Sequence, residues 1–188
     1  MQQREVVERA RQGDLDAFSE LARAALTRLY ALATLILRDT GRAEDAVQEA
    51  LVLAWQDIHA LRDAGAWDAW LHRLTVRACV KLARKERRRI SVEVRQAFDP
   101  ERIGAPDLAT AIVERDRLER EVGRLPLDQR AVLVVHYYLD QPLSSVAEIL
   151  DIPIGTAKSR LHHGLTTLRQ SMGDEPPSNA LPAPERTA

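Results

Sequence analysis

LPLDQRAVLVVHYYLDQPLSSVAEILDIPIGTAKSRLHHGLTTLR, residues 125–169, holds a short amphipathic helix, a tight interruption and a second amphipathic helix. Leu143, Val146, Ala147, Ile149 and Leu150 form one apolar helical face, and Asp151-Ile152-Pro153 ends it. A new helix opens near Gly155-Thr156 and turns Ala157, Leu161, Leu165 and Leu168 inward, at spacings of four, four and three. The opposite face carries Thr156, Ser159, His162 and His163, with Lys158 and Arg160 on its flanks. No acidic residue occurs between Lys158 and Arg169. Polar groups for base edges and flanking cations for phosphates are the layout of a helix-turn-helix. Paired amphipathic helices are also common in all-α proteins that touch no DNA, so the rest of the chain has to decide.

The 188 residues fit two small domains better than one large one, and a composition 45% hydrophobic, 29% charged and only 4% aromatic suits an all-α protein. No apolar run reaches the ~20 residues of a membrane span, and MQQREVVERARQGD lacks a signal-peptide core, so no membrane insertion is expected. The single cysteine, Cys79, excludes an internal disulfide and a multi-cysteine zinc site and fits a reducing cytoplasm; it reads as an inert helix residue. Net charge is −1, but its distribution is uneven. Residues 1–69 hold eight Arg against twelve Asp or Glu, whereas residues 70–89 hold eight Lys or Arg against Glu86 alone. That segment is a local electrostatic footprint.

Along the chain, residues 3–38 read as helix with a break at Gly13-Asp14. Residues 43–60 form a second helix with Val47, Ala50, Leu51, Ala54, Trp55 and Ile58 on one face, leaving Asp45, Gln48, Glu49, Val52 and Gln56 opposite. A solvated face explains that set by default, and its acidic, amide-bearing character with one valine also suits a partner protein. A loop at Arg62 to Ala66 precedes a helix from Trp67 to Arg88 with core stripe Trp67, Leu71, Leu74, Ala78 and Leu82. Beside that stripe lie Arg73, Arg77, Lys81, Arg84 and Arg88, within about 80° of one another, with Trp70 in the same sector. Their mutual repulsion costs a few tenths of a kcal/mol per i, i+4 pair, roughly, so fold stability is not their purpose. A polyanion would relieve the repulsion, and an indole there can stack on an unpaired base. The plainer alternative is a solvated stripe with Trp70 capping the core.

With these residues in view, the chain resembles a group 4 sigma factor of the extracytoplasmic-function type, within the sigma-70 family. GDLDAFSELARAALTRLYALA is similar to the start of that family's N-terminal domain, RAEDAVQEALVLAW to its polymerase-clamp-binding helix, and AWDAWLHRLTVRACVKLARKERRR to its −10 and melting segment. Residues 125–169 resemble its −35-reading domain. The resemblance implies two small helical domains: sigma region 2 over 1–89, a flexible linker over 90–113, sigma region 4 over 114–172, and a disordered tail over 173–188. It implies that Asp45, Gln48, Glu49 and Val52 dock on the clamp helices of core RNA polymerase, with the polymerase flap as a further contact. Arg62 in its loop, Trp67, Trp70, Arg73, Arg77, Lys81 and Arg84 would serve the −10 element and the displaced strand. Thr156, Lys158, Ser159, Arg160 and His163 would lie in or beside the −35 major groove. No catalytic group, metal or cofactor is implied.

Some residues depart from the family pattern. Arg77 and Lys81 stand where the family usually has Asn and Asp, which makes the stripe more basic. Asp151 replaces a turn glycine, and Pro142 stands in place of a capping serine, where a first helical turn accepts it. Two other readings are weighed beside a promoter-recognition subunit. An autonomous DNA-binding regulator explains only the helix-turn-helix. An enzyme is disfavoured, because the five histidines show no metal-ligand spacing and there is no phosphate-binding glycine loop. A regulated form of the first reading adds an anti-sigma factor that buries the polymerase-facing surfaces of both domains.

Overall fold

The computed structural model describes residues 2–93 and 111–173, with side chains described over 2–87 and 117–173. Among the described residues every regular element is helical: α1 (Gln2–Arg11), α2 (Leu15–Leu37), α3 (Thr40–Asp57), α4 (Trp67–Glu93), α5 (Ala111–Arg124), α6 (Leu127–Leu133), α7 (Leu143–Leu150) and α8 (Ile154–Met172). The expected all-α class holds.

Local chemistry sets the boundaries. Gly13 takes φ 94, and the Asp14 side chain then accepts the Ala17 amide at 3.0 Å, ending α1 and starting α2 where the break was expected. Asp39 accepts the Arg42 amide at 2.9 Å, so α3 begins at Thr40, three residues before the apolar periodicity reveals it. α4 runs on to Glu93, into the segment read as linker, and α5 resumes at Ala111. The remainder of that linker, and the tail from residue 174, lie outside the described residues, as does the Arg88 side chain. Pro142, which stands in place of a capping serine, occupies the extended N-cap position of α7, at φ −62 and ψ 151. After α6 the chain widens into a π-turn at Val134–Tyr138, where Leu139 N donates to Val134 O at 3.3 Å.

Asp151 ends α7 in the left-handed region, at φ 53 and ψ 57. Asp tolerates that region because its short side chain is compatible with it, whereas a β-branched residue is not. Asp151→Val is therefore expected to lower stability by about 1–2 kcal/mol, visible as a fall in melting temperature. An unchanged melt would show that this turn can adopt another backbone.

α1 to α4 enclose a core around Leu29, Leu32, Ile36, Val47, Trp67 and Leu71, all at most 1% exposed. Phe18 meets Trp55 and Trp67 edge-on, at 5.1 and 6.0 Å between ring centroids. In the C-terminal half, Leu125, Leu133 and Leu168 are buried with Leu161 and Leu165 packed on them. A Cβ on Gly164 would come within 2.9 Å of Leu133 Cδ1, so glycine permits the close approach of α8 to α6. The halves are not separate: Val132, Val135, Val146, Ile149 and Leu150 join the cluster built by α1 to α4.

That union corrects the expectation of a single stripe on α4. Leu74 and Leu82 are only half-buried, while Thr75, Val76, Cys79 and Val80 are buried. α2 and α3 cover one side of the helix, and α7 and α6 cover another. Thr75 satisfies its hydroxyl on Leu71 O at 3.0 Å. Burial pushes the Cys79 thiol up to about 12, so it carries almost no thiolate at neutral pH and is chemically quiet.

Candidate nucleic-acid interface

The residues of interest lie on three helices. On α3, Asp45, Gln48 and Val52 are exposed, and Val52 retains 55% of its surface although it is a large aliphatic group. Glu49 on the same face is half-buried and binds Lys81 Nζ across to α4 at 2.5 Å. This ion pair joins the candidate polymerase face to the candidate DNA stripe, and single-helix periodicity gave no signal of it.

On α4, Arg73, Arg77, Lys81 and Arg84 are all exposed, and Trp70 is half-buried at 5.7 Å from Trp67 between ring centroids. Trp67 itself is 1% exposed and packs in the core, which removes it from the set that could meet a base. The preceding loop carries an exposed Arg62. Asp63 folds it into a tight turn by accepting the Gly65 amide at 2.8 Å. The cations face the other half of the molecule across two clefts. One, of about 820 Å³, is lined by Arg77, Lys81, Arg84 and Lys85 against Ile149, Leu150 and Asp151. The other is lined by His72, Arg73 and Arg77 against Gln141, Ser145 and Glu148.

α7, the Asp151–Pro153 turn and α8 form the helix-turn-helix. Lys158, Ser159, His162 and His163 are exposed on α8, and Thr156 is half-buried. Arg160 turns toward α6, where its guanidinium lies 3.5 Å from Asp128 with a quarter of the side chain exposed. It is therefore an edge cation tied to its own domain and not a free base reader. Ile154, 44% exposed at the start of α8, adds an apolar group that the polar-face reading passed over.

Comparison with known proteins decides the family. The family described as Sigma-70 region 2 matches residues 21–89, and the one described as Sigma-70, region 4 matches residues 115–168. The ECF RNA polymerase sigma factor SigM of Mycobacterium tuberculosis (strain H37Rv) is 30% identical over 161 residues, covering 86% of this chain and 80% of its own. The chain belongs to the extracytoplasmic-function sigma factors. SigW of Bacillus subtilis (strain 168) is 25% identical over 89% of this chain and 95% of its own length. The sigma factor RpoE of Bartonella quintana, solved with the anti-sigma factor NepR, superposes with a TM-score of 0.61 at 22% identity, over 85% of this chain and 98% of that one. CnrH, solved with the cytosolic domain of CnrY, gives 0.59 at 19% identity, over 91% and 97%. These two likenesses carry the fold. Sigma factors recognise promoters and act in transcription initiation as DNA-binding subunits of RNA polymerase, not as enzymes. Among the described residues no helix of this sigma factor is long and apolar enough to cross a membrane.

The electrostatics of the sigma factor's smaller cleft add a pH dependence. Burial, and next the nearby Arg28 charge, hold His72 below its ordinary value of 6.5, and Asp68 opposes them weakly. Arg73, Arg77 and Glu148 also line this cleft. The unfolded chain then binds the proton more readily, so the His72 contribution is intact above pH 6.5 and is lost as pH falls below that value. Stability of His72→Gln is expected to vary less with pH below 6.5 than that of the parent, read from denaturant midpoints. Parallel curves for the two proteins would contradict it.

Proposed function

We propose that the three helical faces divide the work of promoter recognition among them. Asp45, Gln48, Glu49 and Val52 on α3 dock on the clamp helices of core RNA polymerase, where the acidic and amide groups pair with polymerase side chains and Val52 loses its exposed surface. Arg73, Arg77, Lys81 and Arg84 on α4 follow the phosphates of the −10 region and the displaced strand, with Arg62 and Trp70 placed for an unpaired base. Lys158, Ser159 and His163 on α8, with Thr156 at its start and Arg160 at its edge, serve the −35 major groove.

The observation that supports this division best is the row of four exposed cations on α4, Arg73, Arg77, Lys81 and Arg84. The polymerase flap, the second contact that the family resemblance names, is assigned to the C-terminal half. An apolar groove there is lined by Val122, Leu133, Val134 and Leu168, with Tyr137 and Tyr138 exposed at its rim. An anti-sigma factor is a further partner of the kind with which RpoE was solved, and it would cover the same polymerase-facing surfaces. The site of action is the cytoplasm, where core polymerase and promoters meet.

Run-off transcription with core bacterial polymerase and genomic fragments tests the reading, and start sites dependent on this protein are the expected result. Arg84→Ala is expected to lower the slope of log affinity against log salt by about 0.7–0.9 on promoter DNA bound with core. An unchanged slope would remove Arg84 from the phosphate contacts. Val52→Asp is expected to weaken association with core while leaving the fold intact. Wild-type association by that variant would dismiss the α3 face.

A further inference from the structure

The first helix reaches the loop that precedes α4. Val6, Val7 and Ala10 are buried and hold α1 against α2 and the Ala64–Ala66 turn. Gln3 Nε2 adds a bond to Asp68 Oδ2, at 3.1 Å, in the first turn of α4. Arg4 lies between these anchors and reaches the turn. A Cβ built on Gly65 would stand 2.7 Å from Arg4 Nη2, 3.1 Å from Nε and 3.2 Å from Cζ. Three atoms of one guanidinium at such similar distances put its flat face over Gly65. Its N–H groups lie in the guanidinium plane, so they run past the loop backbone and not into it.

Among the described residues nothing satisfies that edge: Arg4 is exposed and makes no hydrogen bond or ion pair. Helical spacing offers it Glu8 at i+4, but Glu8 accepts two bonds from Arg11 Nη1 instead, at 2.8 and 2.9 Å. The acids around the loop are engaged as well. Asp63 Oδ1 accepts the Gly65 amide at 2.8 Å, and Asp68 accepts from Gln3 and from Arg28, at 3.1 and 3.0 Å. Arg4 and Arg62 are thus exposed cations on and beside a loop whose own carboxylate is turned to its backbone. A guanidinium with its face on a glycine and its edge free is arranged for a phosphate, which accepts two parallel N–H bonds.

We propose that Arg4, with its face on Gly65, grips a backbone phosphate of the displaced strand beside the unpaired base that the Arg62–Ala66 loop takes. This rests on the reading of that loop as part of the −10 site, and it brings α1 into the site. Gly65 permits the approach. Its φ lies outside the left-handed region, and the atoms nearest an added Cβ all belong to Arg4. Alanine at 65 therefore strains nothing in the loop and displaces only the flexible tip of Arg4.

Two probes from a promoter found by run-off transcription test it, each bound by the full-length protein with core polymerase. One is a fork whose displaced-strand −10 segment is single-stranded, and the other is a duplex that ends just downstream of the −35 element. Arg4→Ala is expected to bind the fork about 10-fold more weakly, the size of one charge-assisted hydrogen bond, and the short duplex as the parent does. Gly65→Ala keeps the charge but moves it, and should lose about as much on the fork. The double variant should lose no more than either single one, because both remove the same contact. On a fork with neutral methylphosphonates flanking the unpaired base, the parent and Arg4→Ala should bind alike. Parent-like binding of the unmodified fork by Arg4→Ala overturns the proposal. An equal loss on both probes, additive losses in the double variant, or an Arg4→Ala defect that persists on the methylphosphonate fork overturns it as well. A parent that gains no affinity from the single-stranded segment sinks the −10 reading of the loop itself, and Arg4 with it.

Discussion

Trp67→Ala is expected to lower folding stability by about 3–5 kcal/mol, the range for removing a large aromatic side chain from a packed core. The residue opens α4, is 1% exposed, and meets Phe18 edge-on and Trp70 at a tilt. Truncation would therefore leave a cavity between α2 and α4 that neighbouring rings cannot close without leaving their own contacts. Equilibrium denaturation in guanidinium reads the loss. Trp67→Phe separates packing from recognition, since it keeps most of the buried ring and none of the indole. Its stability should fall far less, and its promoter affinity with core should match the parent. A Phe variant that is stable but poor at DNA binding would return Trp67 to the recognition surface.

Arg130→Ala is expected to cost about 3–5 kcal/mol, since each buried carbonyl left without a donor costs ~1–3 kcal/mol. Three carbonyls are involved, Ile36 O, Gly123 O and Leu125 O. Burial, and next the Arg38 charge, pull the guanidinium down to about 10, so it remains a cation at neutral pH and its loss removes a charged donor. Arg130→Met fills much the same volume without donors and is expected to be nearly as unstable as the alanine variant. Arg130→Lys keeps the charge but lacks the planar fork, and is expected to recover only part of the loss. A Met variant as stable as the parent would show that the three carbonyls find other partners.

Much of this architecture was legible from periodicity and turn chemistry. Gly13-Asp14 marked the α1–α2 break, and Asp151-Ile152-Pro153 marked the turn of the helix-turn-helix. Ser159, His162 and His163 on α8 and Arg73, Arg77, Lys81 and Arg84 on α4 are exposed where the helical wheel put them, with Thr156 half-buried, because wheels report faces correctly when one side of a helix is buried. They fail when two sides are buried. On α4, which packs against α6 and α7 as well as α2 and α3, Val76, Cys79 and Val80 are buried too, and no pattern within one helix reports a neighbour distant in sequence. The same blindness hid the Glu49–Lys81 pair, 32 residues apart, and the Arg160–Asp128 pair. Arg130 did leave a trace: it is a lone charge beside the run AVLVV, where a solvated arginine would interrupt a buried face. Reading such a charge as a donor to helix ends, and not as surface, would have found it.

The apolar continuity between the halves limits how freely they can be exchanged. Recombination that grafts the C-terminal helices of a relative onto this N-terminal half must match Val132, Val135, Val146, Ile149 and Leu150 as well as the proposed −35-reading face of α8. Promoter preference in this lineage therefore cannot drift at α8 independently of its neighbours. Changes that alter how α7 presents α8 are filtered first by a buried apolar seam.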